Sequence, residues 1–123
     1  MSADVFKKGS VDLLVLHLLS KEDAYGYQLV HKIEETSGGL LSVQLASLYP
    51  VLYRLADDGY ISCRETYAEK GKGARTGRSP RIRVIYHIEE AGRVRLSELL
   101  EEHKMLLQGF INVLSYGEEV GTG

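Results

Sequence analysis

Between Lys70 and Arg83 the sequence places six bases, Lys70, Lys72, Arg75, Arg78, Arg81 and Arg83, and no acid. A run of one sign, interleaved with glycines, suits the backbone of a polyanion such as a nucleic acid. Upstream stand Gln44, Ser47, Tyr49, Tyr53 and Arg54. These residue types hydrogen-bond phosphate oxygens and base edges. Other chemistries find less support. His17, His31, His87 and His103 show no paired metal spacing, and Cys63 is the only cysteine, so no metal site and no cofactor are expected. No nucleophile stands in a Ser/His/Asp arrangement, and no catalytic residue is assigned. The "GKGARTG" glycines lack the Gly-Lys-Ser/Thr followed by a helix that a phosphate-binding loop needs. Cys63 reads as a small buried hydrophobe.

The composition narrows the setting. Net charge is −2 over 123 residues, so the attraction for polyanions is local to the basic run and not a property of the whole chain. A single cysteine permits no intrachain disulfide, which fits a reducing compartment, and the chain is read as cytoplasmic. The apolar run "VDLLVLHLL" is too short to span a bilayer, so no membrane partner is expected.

Positioning these side chains takes a definite set of elements. Ser10 is a candidate N-cap for a first helix over 10–20, with Val11, Leu14, Val15, Leu18 and Leu19 on one face. Tyr25, Leu29 and Ile33 mark a second helix over 24–37, stopped by Gly38-Gly39. A third helix opens near Gln44 and ends at Gly59. Leu45, Leu48, Leu52 and Leu55 face inward, while Ala46, Ser47, Pro50, Tyr53, Arg54 and Asp57 face outward. Pro50 deletes one bond, to Ala46, close to the helix start, and a small bend relieves the ring clash. "YISCRETY" and "IRVIYHI" alternate as two strands, joined by the basic loop. A last helix, about 90–116, carries an apolar stripe about 140° wide, broader than an ordinary surface helix shows. The fold expected is mainly α with a two-stranded β wing: a winged helix-turn-helix over 1–89, a C-terminal dimerisation helix over 90–116, and a flexible tail over 117–123.

The pieces "GSVDLLVLHLL", "YGYQLVHKIEE", "ASLYPVLYRLADDGYI" and "RVIYHIEEAG" together resemble the PadR family of bacterial transcriptional regulators, in its short form with a single helix after the wing. The resemblance implies a homodimeric winged-helix repressor of double-stranded DNA, often released by a small molecule. The relatives that bind drugs use a Trp on the last helix to stack planar ligands, and this chain has no Trp.

Read this way, Gln44, Ser47, Tyr49, Tyr53 and Arg54 would meet DNA from the third helix, and Lys70, Lys72, Arg75 and Arg78 from the wing. Leu96, Leu99, Leu100, His103, Leu107, Phe110 and Leu114 would form a two-fold dimer interface. His103, centred in that stripe, is either a packed histidine bonded across the interface or, with Phe110, a contact for a small apolar or aromatic effector. The alternative function is a winged-helix protein-interaction module that does not bind DNA. The six unopposed bases argue against it.

Overall fold

The structure is a computed structural model that describes residues 9–67 and 82–118. Its elements are α1 (Ser10–Leu19), β1 (Ala24–Tyr25), α2 (Gly26–Thr36), α3 (Leu45–Asp57), β2 (Ile61–Tyr67), β3 (Ile82–Ile88) and α4 (Glu90–Leu114). The expected order is present with one addition. β1 pairs antiparallel with β3, Ala24 opposite Tyr86 and Tyr25 opposite Ile85, so the sheet has three strands in the order β1-β3-β2. Two residues are too few to display a strand's alternation, which is why the second helix was expected from Ala24 and starts at Gly26. The Gln28 side chain secures that start by accepting a 2.8 Å hydrogen bond from the Tyr25 N–H.

The cap of α1 also differs from expectation. Gly9, not Ser10, holds the N-cap position, with φ at +93°. This is left-handed backbone, which glycine enters without steric cost. The Gly9 carbonyl accepts the first helical bond, from the Leu13 N–H at 2.9 Å. Ser10 is therefore the first helical residue, and its hydroxyl is free to act elsewhere.

α3 follows the predicted pattern. Leu48, Leu52 and Leu55 are buried, and Pro50 sits inside the helix with its ring exposed. These leucines join Val15, Leu16 and Leu19 of α1, Leu29 of α2, and Ile61, Tyr86 and Ile88 of the sheet in one core. The hairpin runs in register from Ile61 opposite Ile88 to Tyr67 opposite Ile82. Cys63 is a correction: it is exposed, although it shares a sheet face with buried Ile61. The alternation continues along β2, but beyond Ile61 the strand leaves the core, so the same face emerges into a groove.

α4 is locked to the sheet at its first turn. The Glu89 N–H donates to the Tyr60 carbonyl at 2.9 Å, and buried Gly92 lies against that same carbonyl. A Cβ at Gly92 would lie 2.1 Å from the Tyr60 oxygen and 2.9 Å from Ile88 Cγ1. Further along, Leu99 is 1% exposed within the core. From Lys104 onward every described residue is exposed, so the last part of α4, about 16 Å of helix at 1.5 Å per residue, projects from the body. Among the described residues, no helix is long and apolar enough to cross a membrane.

Candidate nucleic-acid interface

α3 presents its outward face as the sequence pattern dictates. Gln44, Ala46, Ser47, Pro50, Tyr53, Arg54 and Asp57 are all exposed. Gln44 occupies the N-cap position without a side-chain capping bond. The two flanks of this face have different neighbours. One looks toward the sheet, the other toward α1.

On the sheet side lies a groove of about 480 Å³, with Tyr49, Tyr53 and Ala56 of α3 on one wall and Cys63, Val84 and Tyr86 of the hairpin on the other. Tyr25, Tyr27 and Arg83 close its rim. The tyrosines are ordered by one another. Tyr49 and Tyr53 stack with centroids 5.9 Å apart, and so do Tyr25 and Tyr27. The Arg83 guanidinium rests 5.7 Å and 5.8 Å from the centroids of the latter two rings, within cation–π range. The Tyr25 hydroxyl shares a 3.1 Å hydrogen bond with Thr66. At the groove floor, burial first, then the neighbouring Cys63, pushes the Tyr86 phenol up to about 12. Lys70, Lys72, Arg75 and Arg78 lie outside the described residues.

On the α1 side, Arg54 binds Asp12 end-on, Nη1 to Oδ2 at 2.7 Å and Nη2 to Oδ1 at 3.1 Å. The Asp12 side chain is only 13% exposed. Hydrogen bonding to Asp12 raises the Arg54 pKa further, against some desolvation and with support from Asp58. Arg54 is thus a braced side chain on the outward face where the sequence placed it.

The final helix divides the predicted interface residues. Leu99 is corrected from interface to core: its side chain is enclosed by its own chain and has no surface left for a partner. Leu96 packs partly against the same core. Leu100, Leu107, Phe110 and Leu114 are exposed, the last three at 60%, 58% and 71%, and Leu106 and Ile111 extend the patch. His103 is partly buried and engaged on both sides. Its Nδ1–H donates to the Leu99 carbonyl at 2.8 Å, since a carbonyl can only accept. Its Nε2 shares a 3.0 Å hydrogen bond with the Ser10 hydroxyl. Both bonds lie within one chain, so no ring nitrogen is left to orient a ligand.

Residues 15–98, more than half of the chain, match the transcriptional regulator PadR-like family. The chain belongs to that family. A solved transcriptional regulator from Clostridium thermocellum superposes with a TM-score of 0.69 and 29% identity, covering 91% of this chain and 95% of that one. Bacillus subtilis PadR, solved in complex with operator DNA, superposes with a TM-score of 0.61 and 24% identity, covering 73% of this PadR-like chain but only 46% of that protein. Transcriptional regulator YqjI of Escherichia coli is 32% identical over 71 residues, which is 58% of this chain and 34% of YqjI. The chain therefore spans about a third of YqjI.

Three contacts of this PadR-like chain escaped the sequence reading. Asp12 and Arg54 are 42 positions apart, with no local pattern to pair them. Ser10 reads as a cap because its type favours one. Arg83 was counted among the bases, but its placement over Tyr25 and Tyr27 depends on how β3 pairs with β1. The "YGY" piece was the available signal there.

Proposed function

We propose that the protein is a homodimeric, sequence-specific DNA-binding repressor acting in the cytoplasm. The observation that carries this reading is the outward face of α3: Gln44, Ser47, Tyr53 and Arg54 are exposed together beside a tyrosine-lined groove, next to the strands that bear the basic loop. α3 enters the major groove, and Lys70, Lys72, Arg75 and Arg78 contact the backbone or minor groove. Tyr49 and Tyr53 contact the flanking backbone.

Dimerisation proceeds through the projecting half of α4. Leu107, Phe110 and Leu114 stand clear of their own chain, and burying each contributes roughly 1.5–3 kcal/mol. Such a dimer reads half-sites about one helical turn, ~34 Å, apart. Release by a small apolar or aromatic effector is part of the proposal, with the ligand seated near Phe110 between the two α4 copies. His103 does not orient it, because its ring is held by Ser10 and Leu99.

A gel shift with the region upstream of the protein's own gene tests the central reading. Retardation that survives excess random duplex supports it, and Ser47→Ala should then change the preferred sequence. Equal binding of all duplexes, or none, would refute it. A thermal-shift screen of planar and phenolic compounds tests the effector arm.

A further inference from the structure

We propose that Asp12 sets DNA specificity by holding and neutralising Arg54, and this rests on α3 being the recognition helix as argued above. An acidic side chain beside a DNA-reading helix repels phosphates, so its presence there needs a reason. The geometry supplies one. Asp12 is nearly enclosed at the first turn of α1 and grips the Arg54 guanidinium at two points, while Arg54 itself remains half exposed at the flank of α3. Two parallel N–H···O bonds fix the plane of a guanidinium as well as its place.

The grip leaves part of Arg54 usable. Asp12 takes one N–H from each terminal nitrogen. Three N–H groups remain, and the Nε–H with the outer terminal N–H beside it forms a second fork on another edge of the same plane. That edge can donate to an anionic oxygen or a base edge only along the direction Asp12 allows. The charge is also balanced. A free arginine attracts any phosphate within a Debye length and so strengthens binding to every duplex equally. Paired with Asp12, Arg54 adds hydrogen-bond geometry with little net charge. The pair thus favours a well-fitted site over bulk DNA, a form of discrimination that works by suppressing the wrong partner.

The test compares two 30-base-pair duplexes, one selected by the wild-type protein from a randomised pool and one scrambled. Affinity is measured by fluorescence anisotropy across a salt series. Asp12→Asn keeps the side-chain volume and removes the charge. It should steepen the salt dependence on scrambled duplex by about 0.9 per subunit and raise affinity for it about fivefold or more at 0.1 M salt. The ratio of selected to scrambled affinity should fall. The double variant D12N/R54Q loses both charges and should return the salt slope to its wild-type value while the ratio stays low. Urea unfolding of each variant separates lost folding from lost discrimination. If Asp12 only braces the fold, Asp12→Asn lowers stability and weakens both duplexes in parallel with an unchanged slope, which overturns the proposal. Failure to select any duplex from the pool overturns the DNA-binding reading, and this inference with it.

Discussion

Gly92→Ala adds one methyl group at the joint between the sheet and α4. Its Cβ would stand 2.1 Å from the Tyr60 carbonyl oxygen, 3.0 Å from the Tyr60 carbonyl carbon and 2.9 Å from Ile88 Cγ1. The first two atoms are backbone, so no side chain can rotate out of the way. Overpacking typically costs about 1–3 kcal/mol, and a backbone obstacle places this case at the upper end. Displacing Tyr60 also weakens the Glu89–Tyr60 bond, worth about 1 kcal/mol. Against these, alanine improves helix propensity over glycine by about 1 kcal/mol. The net loss is about 3 kcal/mol, a large fraction of a typical domain's 5–15 kcal/mol. Gly109 of the same helix is the control, since a Cβ there meets nothing within 4 Å. Gly109→Ala should therefore stabilise, by up to about 1 kcal/mol. Urea unfolding of both variants at one protein concentration reads the difference, the concentration being fixed because the chain is proposed to dimerise. A Gly92→Ala midpoint within error of the wild type, or level with that of Gly109→Ala, would show the joint to be looser than described and refute the reasoning.

Phe110→Glu with Leu107→Glu should yield a folded monomer at micromolar concentration by sedimentation, with wild-type helix content; persistence of the dimer would move the interface elsewhere. Arg75→Ala and Arg78→Ala should each lower affinity for all duplexes and flatten the salt dependence by about 0.9 per lost phosphate contact; an unchanged slope would remove the basic loop from the interface. The Tyr86 phenol is raised in the folded state to about 12, from an ordinary 10, so its stabilising effect is complete below pH 10 and is lost as pH climbs toward 12. Tyr86→Phe should accordingly flatten the fall in stability over that window, read by unfolding at stepped pH, and an equally steep fall in the variant would assign it to other groups.

Most of the fold was legible because its helices and long strands carry a clear period. Leu48, Leu52 and Leu55 declared the inner face of α3, and Ser47, Pro50 and Tyr53 the outer one, with no knowledge of the neighbours. The period tells which residues share a face but not what covers that face. Leu99 and Leu107 lie on one stripe of α4, yet the first packs into its own core and the second faces out. The same gap explains Cys63, whose strand alternation is correct and whose burial is not. Bonds between distant residues left no trace in the sequence at all. The partners of Arg54 and His103 both lie in the first turn of α1, 42 and 93 positions away. β1 was invisible for a different reason, being shorter than one repeat of its own pattern.

That first turn of α1 has a geometric consequence. Ser10 reaches α4 through His103 and Asp12 reaches α3 through Arg54, two residues apart and thus on opposite sides of the helix. α1 lies between the helix proposed to meet a partner and the helix proposed to meet DNA, and it packs on both. It works as a gauge block. In the proposed dimer, the thickness of α1, about 10 Å, is one contribution to the distance from the two-fold seam to each reading head. The spacing between half-sites is then a sum in which α1 is counted twice. Side-chain size along α1 becomes a dial for operator length, adjustable by fractions of an ångström without touching a residue that faces either partner.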